Sequence, residues 1–245
     1  MRRIWPPEDA RAIEDDELEQ LYTYPASRWL VVNFVSSADG AVELGGRAAG
    51  LSNRPDQQIL RLGSDLADVL MVGARTAMIE KFRGVHPDDQ TSERRRRHGL
   101  AAVPPTAVVT TGRTLPADAP VITEALVPTI VITTSSASEE QREAWTTAGA
   151  TTMVAGDSTV DLARAVDALA EQGLGRIDCE GGAYLFGSLL AAGLVDELRL
   201  TVSPLLVSGT AGRIATGAGI DPARLELASV LAESDTLLIR YLVRH

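Results

Sequence analysis

The 245-residue chain carries 23 Lys and Arg against 33 Asp and Glu, a formal net charge of −10 at pH 7. That excess of acid argues against a general nucleic-acid binder, because phosphate backbones are gripped by surplus cations. The single cysteine, Cys179, rules out an intrachain disulfide and a cysteine-based metal cluster, and it fits a reducing, cytoplasmic setting.

At the N-terminus, MRRIWPPEDA has two arginines but no apolar run behind them, so no secretory signal is expected. No segment approaches the roughly 20 uninterrupted apolar residues of a membrane span. Residues 1–28 are polar, with Pro6, Pro7 and Pro25 and one acidic helical stretch around EDDELEQLY, and are expected to form an arm on the domain surface. Residues 29–245 have no obvious linker and are expected to form a single domain.

WLVVNFVSS (29–37) is the first strand, β-branched and aromatic, ending at the turn signal Asp39-Gly40. GGRAAGLSN follows as a glycine-rich loop, and Pro55 begins a helix with Ile59, Leu60 and Leu62 on one side. ADVLMVG (67–73) is almost continuously apolar, the pattern of a strand covered on both faces. Residues 84–105, with the run Arg94-Arg95-Arg96-Arg97, are expected to be irregular, the arginines forming a mobile, solvated loop or a flap over a phosphorylated ligand.

Three short β-rich segments then recur: TAVVTTG (106–112), PTIVITT (128–134) and ATTMVAG (150–156). Helices are expected at 138–149 and 160–174, the second with Leu162, Ala165, Val166 and Leu169 at helical spacing. RIDCEGG supplies a further strand. Strand–helix alternation of this kind indicates an α/β domain around a largely parallel sheet. DELRLTVSPLLVSG and TLLIRYLVRH change style and are expected to be antiparallel additions at the sheet edge, the last able to pack with a second copy.

Ligands of α/β sheets sit beyond the carboxyl ends of the parallel strands. Five such ends carry Gly, Ser or Thr: Ser36-Ser37 with Asp39-Gly40, Gly73 to Thr76, Thr110 to Gly112, Thr133 to Ser136, and Glu180 to Gly182. They line a cleft for phosphates and ribose, or they are ordinary turns, which favour the same residues. Neither G-x-G-x-x-G nor G-x-x-x-x-G-K-[ST] occurs. Asp39 either makes its Asp-Gly turn or orients a substrate, and Glu80 is either a solvated helix residue or a site acid. Glu180 stands apart, because it follows an apolar strand and faces Gly181-Gly182, which open a helix able to receive an anion. Cys179 suits a small buried hydrophobe, and His86, His98 and His245 lack metal-ligand spacing, so no metal is expected.

EGGAYLFGSLLAAGLVDELRLTVSPLLVSG, preceded by NFVSSADGAV and VGARTAMIE, resembles the reductase domain of bacterial riboflavin biosynthesis over about residues 29–243. No deaminase domain with a zinc-binding pattern precedes it, so the chain looks like the stand-alone reductase. The resemblance implies a dihydrofolate-reductase-like three-layer fold, with a mostly parallel sheet and antiparallel C-terminal strands. It further implies a homodimer and hydride transfer from NADPH to a ribosylamino-pyrimidine 5′-phosphate. Dihydrofolate or another pterin-like substrate, and a non-catalytic NADP-binding protein of the same fold, are the alternatives.

Carried over by motif, Val35, Gly50 and Leu51 would flank the nicotinamide. Gly73, Thr76, Gly181 and Gly182 with Ala183, Tyr184, Leu185 and Phe186 would hold ribose and pyrophosphate. Thr111 and Arg113 would face the adenosine 2′-phosphate. Glu180 would bind the substrate's polar end, Asp39 would shape the active-site turn, and Glu80 would stand for the catalytic aspartate of the family. The chain departs from the family's pattern at Asn33, where lysine is usual, at Glu80, and at Ala48 and Ser64, where a Ser and an Arg usually hold the substrate phosphate.

Overall fold

In the computed structural model, which describes residues 1–25 and 28–245, the arm contributes β1 (Arg2–Trp5), β2 (Arg11–Ala12) and α1 (Asp15–Leu21). Residues 26 and 27 of the expected arm lie outside the described residues. Next come β3 (Trp29–Ser37), α2 (Arg54–Leu66), β4 (Val69–Gly73), α3 (Ala74–Ile79) and α4 (Asp89–Arg97). The middle of the chain forms β5 (Thr106–Val109), α5 (Pro120–Thr123), β6 (Ile130–Thr133), α6 (Glu139–Thr147) and β7 (Thr151–Val154). It closes with α7 (Leu162–Glu171), β8 (Arg176–Cys179), α8 (Ala183–Ala191), β9 (Glu197–Ser203), β10 (Arg224–Glu233) and β11 (Thr236–Arg244).

The strands make one sheet in the order β2-β1-β10-β11-β9-β3-β8-β4-β5-β6-β7. From β9 through β7 every neighbouring pair is parallel, and the β2-β1-β10-β11 end is antiparallel, with β11 joining β9. Two expectations are corrected here. DELRLTVS is not an antiparallel edge strand: as β9 it runs parallel to β3 in the middle of the sheet. TLLIRYLVR is not an edge either, since β10 takes one side of β11 and β9 the other. It therefore has no free edge to offer a second copy. Residues 224–233, not recognised from sequence, supply the strand that displaces it from the rim.

The alternation of the strands sorts the core into two faces. Val32, Met71 and Ile132 point to one side, where Val166 and Leu169 of α7 and Leu185 and Leu189 of α8 cover them. Val31 points to the other side, against Ile59, Leu62 and Leu66 of α2 and Leu18 of α1. Val72, Val108 and Val131 share that second side with the buried Trp145 of α6. Helices thus cover both faces of a parallel core, as the near-continuous apolar strands require.

The arginine run is the clearest departure from expectation. It is neither mobile nor a flap but the last turn of α4, whose N-terminus Asp88 caps by accepting from the Thr91 N–H. Arg94, Arg97 and His98 converge on Glu19 of α1 at 2.7–2.9 Å, and Arg94 also pairs with Asp65 of α2. Burial raises the proton affinity of Glu19, but these donors outweigh it and hold the carboxyl near a pKa of about 2. Arg95 is fully buried. A run that looks like solvated charge is a clamp joining three helices.

Among the described residues, no helix is long and apolar enough to cross a membrane.

Candidate active site

A cavity of about 740 Å³ opens at the carboxyl ends of the central strands, where a parallel sheet places its ligands. Strand β3 contributes Asn33 and Val35, β9 contributes Arg199 and Thr201, and Glu180 comes from the turn after β8. Gly73, Arg75, Thr76 and Glu80 enter from the end of β4 and from α3, and Asp56 and Gln57 from the first turn of α2. The loop between β3 and α2 supplies Ala48 and Ser52, and the segment after β9 supplies Arg213 and Thr216.

The glycine pair has a steric reason before any ligand is considered. Gly181 has φ +86°, and a Cβ there would meet the Phe34 ring at 3.0 Å. A Cβ on Gly182 would lie 2.3 Å from Thr76 Oγ1. The turn is pinned to β4 on both sides, with the Glu180 N–H donating to the Met71 carbonyl at 2.9 Å and the Gly73 N–H to the Gly181 carbonyl at 2.8 Å. Gly182 is the N-cap of α8 with no side chain in the way, so the first turn of that helix faces the cavity through Ala183, Tyr184 and Leu185. Replacing Gly182 by Ala must displace Thr76. Its expected cost is about 1–3 kcal/mol, the usual scale of overpacking. A lower denaturant midpoint at unchanged slope would report it, and an unmoved midpoint would mean that Thr76 swings aside freely.

Acids dominate the cavity floor. Glu180 is half-buried and forms no side-chain hydrogen bond with the described residues, and burial together with the nearby Asp178 and Asp56 carboxyls pushes its pKa up to about 8. Asp178, two residues back on the same face of β8, is fully buried. It accepts from the Asn33 amide, and burial lifts it to about 7. Arg199 lies between the rings of Tyr22 and Tyr24, each centroid 4.9 Å from its guanidinium carbon. It donates to Glu197 at 2.8 Å, and Arg240 donates to the same carboxylate at 2.8 Å.

These features coincide with a known family. The model of the RibD C-terminal domain matches residues 28–239. The chain belongs to this family. It is 31% identical over 229 residues to the 2,5-diamino-6-ribosylamino-4(3H)-pyrimidinone 5′-phosphate reductase of Methanothermobacter thermautotrophicus, covering 88% of this chain and 98% of that one. It is 27% identical over 183 residues to the enzyme of the same name from Archaeoglobus fulgidus, covering 74% and 82%. A pyrimidine reductase-like protein from Corynebacterium diphtheriae superposes with a TM-score of 0.77 at 23% identity, over 89% of this chain and 92% of that one. The two share a fold, an α/β sandwich with a mostly parallel sheet and antiparallel C-terminal strands, as the sequence leads one to expect.

Within this RibD-type domain, the expected site residues divide. Glu180 and Glu80 line the cavity, as do Val35, Gly73 and Thr76 and the first residues of α8, Gly182 to Leu185. Asp39 does not: its carboxylate accepts from the Ser37 hydroxyl and the Val207 and Ser208 N–H groups, and these bonds hold its pKa near about 2. It ties the β3 turn to the segment after β9. Gly181 and Phe186 also lie behind the lining, where the Phe186 ring stacks on Phe34 at 5.3 Å between centroids. Leu51 is buried beside the cavity, Gly50 sits in a short turn outside the lining, and Thr111 and Arg113 are exposed after β5, away from it.

Of the positions departing from the family's pattern, Asn33 and Ala48 line the cavity. The Ala48 N–H donates to Glu80 at 3.2 Å, so Glu80 anchors the β3–α2 loop. Ser64 lines an adjoining, smaller cavity of about 270 Å³ that also reaches Glu180. Sequence reasoning missed Asp56, Asp178, Arg199, Arg75 and Arg213. The available signal was polar residues inside apolar alternation, Asp178 in RIDC and Arg199 in ELRLTVS.

The buried acids of this RibD-type domain set its response to pH. Asp178 and Glu180 keep protons that the unfolded chain loses near about pH 4, so their contribution to stability declines as pH rises from about 4 to about 8. Glu19 and Glu197, held near about 2, act oppositely, and their contribution disappears as pH falls below about 4. Melting temperature against pH should pass through a maximum near about pH 5. A steady rise to pH of about 8 would contradict the burial of the two floor acids.

Proposed function

We propose that this protein is an NADPH-dependent reductase of a ribosylamino-pyrimidine 5′-phosphate, acting in riboflavin synthesis. The observation that carries the proposal is a half-buried carboxyl, Glu180, at the mouth of the α8 N-terminus, in a chain that matches a pyrimidinone phosphate reductase almost from end to end. NADPH supplies the hydride. The chain's own residues supply placement. The first turn of α8 and the Arg75 and Arg213 guanidiniums, which have no carboxylate partner among the described residues, suit its phosphates. Val35 and the apolar wall by Leu185 suit the nicotinamide, and Glu180 suits the polar end of the substrate. Glu80 holds the loop at the cavity mouth. In this reading residues 29–245 form one reductase domain with residues 1–28 as its arm, working in the cytoplasm as a homodimer.

The test is a pair of reactions followed by NADPH oxidation, one with the ribosylamino-pyrimidine phosphate and one with dihydrofolate. Turnover of the first supports the proposal, and turnover of dihydrofolate alone replaces the substrate. A melting temperature that NADPH does not raise in a dose-dependent way would sink the cofactor assignment.

A further inference from the structure

Behind Glu180 the cavity wall is backed by further carboxyls. Asp178 has Glu197 and Glu180 as acidic neighbours and Glu180 has Asp56, while Arg199 and Arg240 both donate to Glu197; Arg199 Nη1 is buried without a partner among the described residues, and its charge favours ionised Asp178. Among the described residues Asp178 accepts one side-chain hydrogen bond, from Asn33, and its Oδ2 has no partner. The neighbours of Asp178 are Asn33 on β3, Tyr24 ahead of it, Arg199 and Glu197 on β9 and Glu180 beyond its own strand. From α2, the helix covering this face, Gly63 brings bare backbone: a Cβ there would lie 2.8 Å from Asp178 Oδ2 and 3.2 Å from Arg199 Nη1.

Among the described residues Glu180 forms no salt bridge, and the charges that bear on it most are two carboxylates, Asp178 and Asp56. Asp56 contributes a second negative charge, and in the smaller cavity Arg61 is bonded to Asp88 at 2.8 Å and Asp65 to Arg94. His86, also in that cavity, contacts the Arg83 carbonyl, and the large cavity is also lined by Arg75 and Arg213, which have no carboxylate partner among the described residues. Two neighbouring acids, the rear one sealed and neither in a salt bridge with the described residues, cannot both be charged cheaply, although the Arg199 charge offsets part of the cost at Asp178.

We infer that Asp178 is a positioning residue that keeps one proton on the Asp178–Glu180 pair, so that Glu180 meets the substrate as a neutral acid able to donate. The inference rests on the reductase reading. In that reading hydride from NADPH adds to the substrate carbon, the π electron pair moves to the attached heteroatom, and the Glu180 proton neutralises that atom. The carboxylate left behind recovers its proton from solvent through the cavity.

Infrared titration of the protein without ligands tests the pair directly, because a protonated carboxyl has its own carbonyl band. The wild-type protein should keep such a band at about pH 7, and Asp178→Asn should move its loss to lower pH by about one unit or more, since the like charge behind Glu180 is gone. With the pyrimidine phosphate as substrate, the alkaline limb of kcat/KM should move the same way, a change that a purely structural defect would not produce. No protonated carboxyl above about pH 6 in the wild type would overturn the inference without any variant needing to fold. So would a band, or a limb, that does not move in Asp178→Asn. A wild-type protein that shows the band but turns over no pyrimidine phosphate would count against the reductase reading alone.

Discussion

Glu180→Gln is expected to lower kcat with the pyrimidine phosphate by about 10²- to 10⁴-fold, the range lost when a positioned proton donor is removed, while NADPH still raises the melting temperature. Gln keeps the size of the side chain and its ability to donate a hydrogen bond, but it has no proton to give. The effect should fall on turnover because Glu180 is a half-buried acid that lines the cavity and forms no side-chain hydrogen bond with the described residues. Cofactor binding should survive because the α8 N-terminus and the Gly181–Gly182 turn are fixed by backbone bonds to β4 that do not use the side chain. The variant should also lose part of the decline in stability between about pH 5 and pH 8, since one of the two acids that resist ionisation is gone. A variant with wild-type kcat would remove Glu180 from the chemistry.

The largest effect on stability is expected at Arg95. Its guanidinium donates to the Ser64, Asp65 and Ala67 carbonyls at 2.9–3.2 Å and to Ala101 at 2.6 Å. The first three belong to the C-terminal end of α2, where carbonyls have no partner in the helix. Burial draws the Arg95 pKa down to about 10, so it stays charged and its donors are charge-assisted. Arg95→Met fills much of the space but takes the donor from four carbonyls, of which those of Asp65 and Ala67 are buried. The expected loss is about 3–5 kcal/mol, or about 6–20 °C in melting temperature for a chain of this size. Arg96, the next residue, is 74% exposed and among the described residues pairs with Glu93 one turn back, and Arg96→Ala should cost less than about 0.5 kcal/mol. Equal effects at the two positions would refute the clamp. Because α2 carries both Asp56 and Gly63 to the cavity floor, loss of Arg95 should also weaken substrate binding before the domain unfolds.

The contrast between these neighbours explains where sequence reading failed. Four consecutive arginines look the same in a sequence, and a helix spreads them around its axis so that one is sealed and another is solvated. Nothing local distinguishes them; the difference comes from Glu19, Asp65 and the end of α2, all distant in the chain. The same holds for Arg199. It sits in an apolar strand because Glu197 and two tyrosine rings satisfy it, and the tyrosines come from the arm. The alternation of β9 resembles that of a half-exposed edge strand, yet the outward positions are filled by this polar cluster.

What was legible was local. The apolar run in β4 marked a strand covered on both sides, and Leu162, Ala165, Val166 and Leu169 marked the buried face of α7. The Glu180-Gly181-Gly182 turn was legible as a site because two glycines at a strand–helix junction are costly unless a close approach needs them. That approach turned out to involve Thr76 and Phe34 as well as the cavity. Asp39 was ambiguous from sequence for a sound reason: an Asp-Gly turn and a strand-end acid have the same signature, and only the Val207 and Ser208 N–H groups reveal how the carboxylate is used.

The most direct measurement is a mass spectrum of the product after incubation with NADPH and the ribosylamino-pyrimidine 5′-phosphate, read beside the NADPH consumed. The ribosyl group should gain two hydrogens to become a ribityl chain, with one NADPH oxidised for each product formed. Unchanged substrate in the presence of bound NADPH would contradict the account, and so would NADPH oxidation without the reduced product.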